Sequence, residues 1–311
     1  MAAHDAELDY EIVICAENSP YLLWQALLFY DSCLETQGIH ASVVVHGEGP
    51  LLPGFRELAG LGARVVPAPS YRRSREHDYA ARNTAGTLLE ARSERPWTLI
   101  CDPDFLFLAP LPRRAGAIHC GRALSWDFVG YMQVSEPNRR WLARACVERG
   151  ITPACLERAG AGGVVPHLVR SDLCRSFASR WLDAVDALVG AAVPEREPPW
   201  LSLPWGFALA AWELGLEPAL TRLTQTSYDG GNVPASRLRA PILHYCYGDA
   251  LFDKRRHAAA EAAGQVWALS AAGSSVSAAL VRRLQRARAR LAARGLDVTD
   301  VRLYEPARPA R

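Results

Sequence analysis

At residues 97–104 the chain reads WTLICDPD, an apolar run of five residues followed by two aspartates one residue apart. The run has the length and composition of a buried strand, so it places Asp102 and Asp104 just beyond the carboxyl end of that strand. Two carboxylates there suit a hard divalent cation, which binds oxygen ligands and often shares its coordination shell with substrate phosphate. The pattern predicts a metal site for a nucleotide-linked substrate. Such triplets also occur in turns, helix caps and calcium loops, so the rest of the chain has to decide.

Strand and helix patterns alternate on the amino-terminal side of this stretch. They predict strand 10–16, helix 20–37, strand 41–46, helix 55–61, strand 64–67, helix 79–92 and strand 97–101. The first of these helices has a cap candidate at Ser19, Pro20 in its first turn and a stop at Gly38. This alternation predicts an α/β fold with a mostly parallel central sheet and flanking helices, whose ligands bind beyond the carboxyl ends of the strands.

The patterns are less regular towards the carboxyl terminus. They predict strand 116–120, helix 136–149, a loop at 160–163, helix 171–189, a proline-rich loop at 194–204, helix 205–214, strand 241–247 and a helix at 276–294 capped by Ser274 and Ser275. We expect one principal domain, residues 1–257, with a helical C-terminal appendage, residues 258–311, packed on it. One face of the last helix is rich in arginine, which fits an anionic membrane or an acidic partner, but a solvated face on a packed helix is the favoured interpretation.

Composition excludes several classes of protein. The formal net charge is +2, which gives no support for a nucleic-acid partner. No stretch approaches the roughly 18 to 20 uncharged apolar residues that span a bilayer, and residues 1–9 lack the basic and apolar regions of a secretory signal. We therefore expect a cytoplasmic protein without an integral membrane segment, and its eight scattered cysteines are expected to be reduced rather than to form disulfides or bind zinc.

Lys254 stands out because it is the only lysine among the 35 basic residues, the rest being arginine. The bias towards arginine indicates a GC-rich bacterial genome, and a lysine kept against it suits a site that needs a compact ammonium on phosphate. Chance retention is the alternative. The same segment, 242–254, holds His244, which can coordinate Mn²⁺, and Gly248, which lets the backbone approach a ligand. A buried structural histidine is the competing interpretation.

Several blocks of the chain, in this order, resemble the family of plant hydroxyproline O-arabinosyltransferases and peptidyl serine α-galactosyltransferases, distant relatives of the glycogenin-like retaining glycosyltransferases. The blocks are SPYLLWQ (19–25), RN (82–83), DPDFLFLAPLP (102–112), GVVP (163–166) with SDL (171–173), and HY (244–245) to Gly248 followed by FDKR (252–255). The resemblance implies a GT-A type nucleotide-sugar-binding fold. It also implies metal-dependent transfer of a sugar from a UDP-sugar to a hydroxyl, with the anomeric configuration retained.

The resemblance also implies roles for individual residues. Asp102, Asp104 and His244 would hold Mn²⁺ or Mg²⁺, and Lys254 would stabilise the leaving diphosphate as its charge develops. The other candidates for binding the donor are Cys15, Ala16, Glu17 and Tyr21 near the uracil, Arg82 and Asn83 near the ribose or phosphates, and Pro103 and Gly248 beside the metal and the diphosphate.

The acceptor side is less defined by the sequence. Asp127 is the candidate for orienting the donor sugar or the acceptor, with a solvated loop acid as the equal alternative, and Gly163 and Trp205 are candidates for acceptor or sugar contacts. The chain departs from the family at 205–209, where WGFAL lacks the acid of the family's Trp-x-x-Glu stretch. Hydroxyproline or serine of a peptide or protein is the expected acceptor. The alternatives are a glycan, lipid or small-metabolite acceptor, a non-catalytic nucleotide-sugar-binding scaffold, and a calcium-stabilised structural protein.

Overall fold

The computed structural model describes residues 8–74, 77–119, 121–128, 136–152, 163–191, 199–226, 234–246 and 251–306. The strands within these residues are β1 Tyr10–Glu17, β2 Ser42–His46, β3 Arg64–Ala68, β4 Arg73–Ser74, β5 His77–Asp78, β6 Trp97–Cys101, β7 Phe105–Phe107, β8 Leu124–Phe128, β9 Gly163–Arg170, β10 Ala219–Thr221, β11 Thr224–Thr226 and β12 Ile242–His244. The helices are α1 Pro20–Gln37, α2 Pro53–Gly60, α3 Asn83–Glu90, α4 Gly116–His119, α5 Glu136–Glu148, α6 Cys174–Ala191, α7 Ser202–Glu213, α8 Ala260–Gln265 and α9 Val276–Ala293.

The chain divides into two compact units, each built from several segments. The first unit comprises Met1–Val13, Ser70–Cys101 and Pro112–Arg222, and the second comprises Ile14–Pro69, Asp102–Leu111 and Leu223–Arg311. The expected boundary at residue 257 between a principal domain and an appendage stays a prediction.

The first unit contains strands in the order β10-β8-β9-β6. Strand β10 is parallel to β8, whereas β9 is antiparallel to both β8 and β6. Helices α6 and α7 of the first unit pack against each other. Their side chains Trp181, Trp205 and Phe207 are fully buried and form part of a large aromatic and aliphatic core. Strand β9 was not predicted as a strand. The sequence places only its first residue, Gly163, in a predicted loop, because the short apolar stretch after the glycine-rich run 160–163 shows neither helical nor strand periodicity.

The second unit contains strands in the order β1-β2-β3, to which β1 contributes residues 14–17, and a separate three-stranded sheet in the order β11-β12-β7. Strands β2 and β3 are parallel, and the apolar side chains Val43, Val44 and Val45 of β2 are buried. Strand β12 is antiparallel to β7, with His244 opposite Phe105. This pairing matters for function because it brings His244 beside the residue that precedes Phe105, which is Asp104.

The predicted fold class is confirmed: the chain is α/β, with a mostly parallel central sheet and flanking helices. Helix α1 begins and ends where its caps predict. The Ser19 hydroxyl accepts a hydrogen bond from the backbone N–H of Leu22, and Gly38 ends the helix with φ of 70°, a left-handed conformation that glycine adopts at little cost.

Two local predictions are wrong. Residues 116–120 were expected to form a strand, but Gly116–His119 form helix α4, where Ile118 and His119 are both buried and the His119 ring stacks on Trp97 at 4.0 Å. An apolar run this short does not separate strand from helix, and the contact with Trp97 is tertiary. The loop expected at 194–204 is too long, because α7 begins at Ser202 and includes Pro204 in its first turn, where the missing proline N–H costs nothing. Residues 194–198 lie outside the described chain.

Helix α9 uses its arginines for contacts inside the second unit. Arg290 forms ion pairs with Asp31 and Glu35 of α1, and Arg283 pairs with Glu35 at 2.9 Å. Arg294 donates a hydrogen bond to the carbonyl of Leu61 at 2.6 Å. Arg283, Arg290 and Arg294 therefore pack the helix against its neighbours. No helix within the described residues combines the length and the apolar character needed to cross a membrane.

A histidine in the core of the first unit should make the stability of the fold depend on pH. The His167 ring stacks on Phe207 with centroids 3.8 Å apart, and burial lowers the pKa of His167 to about 3. In the unfolded chain the His167 ring is protonated near its ordinary pKa, whereas in the folded protein it stays neutral. Folding is therefore most favoured above about pH 6.5, and this contribution is lost as the pH falls towards about 3.

The His167→Phe variant is expected to be less sensitive to acid than the wild type. When the pH is lowered from about 7.5 to about 5, the unfolding free energy of the variant should fall by about 2 kcal/mol less than that of the wild type. Urea unfolding at both pH values measures this, and equal losses in the two proteins would contradict it.

Candidate functional site

Asp104 lies at the centre of a buried group of charged side chains in the second unit. It follows β6 and directly precedes β7, so the pairing of β7 with β12 fixes it beside His244. The Nε2 atom of His244 is 3.2 Å from Asp104 Oδ1, and Lys254 Nζ contacts the other carboxylate oxygen, Oδ2. All three side chains are at most 15% exposed. One carboxylate therefore serves two cationic partners at once.

Asp102 lies at the more open side of the same group. Its Oδ2 is 3.8 Å from His244 Nε2, and its side chain is 27% exposed, against 8% for Asp104. The structure thus brings together the four residues that the sequence selected for the metal and the diphosphate, Asp102, Asp104, His244 and Lys254. We call these four residues, together with Cys246, the Asp104 site.

The charges of the site perturb one another strongly. Burial, together with the nearby Asp104 carboxylate, raises the pKa of Asp102 to about 6. Burial alone would also raise the pKa of Asp104, but His244 and Lys254 hold it well below its usual range. Burial alone would lower the pKa of His244 and of Lys254. The negative charge of Asp104 outweighs this effect and raises both pKa values above their ordinary values. Asp104 is therefore ionised, and any added cation must compete with Lys254 and His244 for it.

The side chains of the site fit a divalent metal ion. Asp104, His244 and Cys246 each offer one ligand atom, and these atoms lie within 4.8 Å of one another. A carboxylate, an imidazole and a thiol are all metal ligands, and Asp102 adds a second carboxylate from the open side. This donor set would hold an ion such as Mn²⁺. The assignment of Asp102, Asp104 and His244 as its ligands stays a prediction.

An aromatic group supports the site from beneath. Trp24 of α1 stacks on Tyr245 with centroids 6.2 Å apart and donates its indole N–H to the carbonyl of His257 at 3.0 Å. The backbone N–H of Tyr245 donates to the carbonyl of Asp104 at 3.1 Å. These contacts fix the chain directly after His244, and Tyr245 and Trp24 are both fully buried. The block SPYLLWQ contributes Trp24 to this support.

The other candidates of the second unit lie at two places. Cys15, Ala16 and Glu17 end strand β1, where Cys15 and Ala16 are buried and Glu17 is half-buried. Tyr21 lies in the first turn of α1, where burial raises its pKa and the charges of Lys254 and Asp104 act on its phenol. The Pro103 carbonyl accepts a hydrogen bond from the Tyr245 hydroxyl at 3.5 Å. Gly248 lies outside the described residues.

Arg82 and Asn83 lie in the first unit and have protein partners there. The Arg82 guanidinium forms a two-pronged ion pair with Asp186, at 2.7 Å and 2.9 Å, and donates to the carbonyl of Tyr71 at 2.5 Å. Asn83 Oδ1 accepts the backbone N–H of Tyr71 at 2.7 Å. These contacts give both residues a structural role in the first unit, and their proposed approach to ribose or phosphate stays a prediction.

The candidates for the acceptor side also lie in the first unit. Asp127 is buried in β8 and accepts a hydrogen bond from the Thr221 hydroxyl at 3.3 Å, so it is not a solvated loop acid. Gly163 begins β9, where a Cβ atom would lie 2.4 Å from the Trp126 ring, so close packing requires glycine. Trp205 is fully buried in α7. Packing accounts for Gly163 and Trp205, and a contact of either with an acceptor stays a prediction.

The structure adds two residues that the sequence analysis missed. Asp186 holds the Arg82 guanidinium, across 104 residues of sequence, and no local pattern could have linked them. Cys246 joins the Asp104 site, and here a signal was present. It lies two residues after His244 within the predicted strand 241–247, and side chains at i and i+2 of a strand point to the same side.

This fold is the GT-A type found in glycosyltransferases. The chain superposes on an active-site mutant of LgtC with a TM-score of 0.51 and 11% sequence identity, covering 90% of this chain and 95% of that one. At this identity the likeness shows a shared fold. The predicted GT-A architecture is confirmed, whereas membership of the hydroxyproline O-arabinosyltransferase family stays a prediction.

Other similar structures are less well superposed. The glycosyltransferase GlyE of Streptococcus pneumoniae TIGR4 matches with a TM-score of 0.48 and 11% identity, covering 93% of this chain and 65% of that one. The bifunctional glycosyltransferase WbbM matches with a TM-score of 0.47 and 11% identity, covering 80% of this chain. The chain spans only 47% of the length of WbbM. No family model and no curated protein sequence matches the chain.

Proposed function

We propose that this chain is a metal-dependent retaining glycosyltransferase that moves a sugar from a UDP-sugar to a hydroxyl. The observation that carries the proposal is the buried Asp104 carboxylate shared by His244 and Lys254, with Asp102 on its open side. A cluster of two carboxylates, an imidazole and an ammonium suits a metal–diphosphate pair. The shared fold with LgtC, itself a galactosyltransferase, adds support.

In this proposal the chain stabilises the leaving group. The bond between the anomeric carbon and the diphosphate oxygen breaks, a bond from the acceptor oxygen to that carbon forms on the same face, and the acceptor proton passes to the departing phosphate. The departing UDP gains negative charge, which a metal ion neutralises when bound. Lys254 would leave Asp104 for the diphosphate and stabilise the charge there. No separate protein base is then needed.

The other residues would bind and orient the donor. Cys15, Ala16, Glu17 and Tyr21 would surround the uracil, and Arg82 and Asn83 would approach the ribose or phosphates. Asp127 would orient the donor sugar or the acceptor. Its burial beside Thr221 gives it a fixed position, which suits orientation better than a mobile surface acid would.

We propose hydroxyproline or serine of a peptide or protein as the acceptor, on the resemblance of the sequence blocks. The alternatives are a glycan, a lipid or a small metabolite as acceptor, or a protein that binds nucleotide sugars without turnover. Gly163 and Trp205 stay the candidates for contacts with the acceptor or the sugar, and both are buried in the first unit.

The direct test is a panel of UDP-sugars incubated with the protein and Mn²⁺, with UDP release as the readout. We expect one donor to be hydrolysed slowly without an acceptor, and that release to stop when the metal is removed by a chelator. Adding hydroxyproline- or serine-containing peptides should then raise the rate and give a glycosylated peptide by mass spectrometry. Metal-dependent UDP binding without any release would favour the non-catalytic alternative, and the absence of both would refute the proposal.

A further inference from the structure

Cys246 belongs to the Asp104 site, although no sequence pattern assigned it a role. Its Sγ lies within 4.8 Å of the ligand atoms of both Asp104 and His244. The side chain is buried, and its thiol donates a weak hydrogen bond to the carbonyl of His244 at 3.8 Å. Sulfur is thus the third donor type at this site, beside oxygen and nitrogen.

The position of the thiol is fixed by its neighbours. Tyr245 packs against Trp24 and Phe252, and its backbone N–H donates a hydrogen bond to the carbonyl of Asp104. These contacts hold the chain between His244 and Cys246 in place, and the ligand atoms of both residues lie within 4.8 Å of a carboxylate oxygen of Asp104. A ligand held this way loses little freedom when a metal binds.

We propose that Cys246 is a thiolate ligand of the metal in the Asp104 site, and that it makes the site prefer Zn²⁺ and Co²⁺ to Mg²⁺, with Mn²⁺ between them. Thiolate is a soft ligand that Mg²⁺ binds poorly, whereas carboxylates and imidazole alone discriminate less. On binding, the thiol proton leaves to solvent and the sulfur donates its electron pair to the metal. The inference rests on the proposed function for the use of the metal, but not for its binding.

The test is a titration of the chain with Co²⁺, followed by absorption spectroscopy. We expect the near-ultraviolet charge-transfer band of a cobalt–thiolate bond in the wild type and its loss in Cys246→Ser. Cys174→Ser is the matched control, because Cys174 is a partly buried thiol of the first unit and the band should persist there. Calorimetry should show Zn²⁺ affinity falling about tenfold or more in Cys246→Ser, with Mg²⁺ affinity unchanged.

The outcomes separate this inference from the proposed function. A wild type without the band, or a band that persists in Cys246→Ser, overturns thiolate ligation whatever the outcome of the UDP-release assay. A band that depends on Cys246 supports ligation even where no UDP is released, and in that case only the proposed function fails. Circular dichroism checks that the variant is folded, and Cys246→Ala replaces it if the serine hydroxyl proves disruptive.

Discussion

Replacing Asp104 with asparagine is expected to abolish metal-dependent UDP binding and to lower UDP release by about 100- to 1,000-fold. The substitution keeps the shape of the side chain but removes the charge that His244 and Lys254 share. The proposed metal site would lose its more buried carboxylate, because Asp102 is 27% exposed against 8% for Asp104. Calorimetric titration of UDP with and without Mn²⁺, combined with the UDP-release assay, measures both effects.

The same substitution should destabilise the fold. It leaves Lys254 and His244, each at most 15% exposed, without their counter-charge, and breaking a buried pair in this way typically costs about 3 kcal/mol or more. Asp300→Asn is the control, because Asp300 pairs with Arg302, whose side chain is 85% exposed. Denaturant unfolding should show a large loss of unfolding free energy for Asp104→Asn only. Unchanged UDP binding in Asp104→Asn would remove Asp104 from the site.

Replacing Lys254 with methionine should change two measurements in opposite directions. UDP release should fall by about 100-fold or more, because the departing diphosphate loses a positive charge in a water-poor site. Mn²⁺ binding without nucleotide should become about tenfold tighter or more, because the ammonium no longer competes for Asp104, and one charge at contact distance is worth on the order of a few kcal/mol there. Calorimetry with Mn²⁺ alone measures the second effect.

Two variants sharpen the Lys254 prediction. Lys254→Arg keeps the charge on Asp104, so Mn²⁺ binding without nucleotide should stay near the wild-type value, while UDP release falls because a planar guanidinium cannot replace a compact ammonium at the diphosphate. Arg255→Met removes the adjacent cation, which is 63% exposed and pairs with Asp253, and should leave both measurements unchanged. Weaker Mn²⁺ binding in Lys254→Met would show that the lysine supports the metal instead of competing with it.

The sequence predicted the longer helices and the strands β1, β2, β3 and β6, because their signals are local. The β6 strand follows from an uninterrupted apolar run, and the bounds of α1 follow from Ser19 at one end and Gly38 at the other. Local signals failed for α4 and β9. In both, a short apolar run is compatible with strand or helix, and the choice depends on contacts such as the stack of His119 on Trp97.

By itself, the sequence determined most of the residue types of the site. Asp102 and Asp104 directly follow the apolar run of a predicted strand, and Lys254 is the only lysine among the 35 basic residues. Only the tertiary structure decided how they meet. Lys254 reaches Asp104 across 150 residues of sequence, and the pairing of β7 with β12 sets His244 and Cys246 beside the same carboxylate. The reason is physical: propensity and capping act over a few residues, whereas the position of a charge depends on the register of strands and the burial of side chains far apart in the chain.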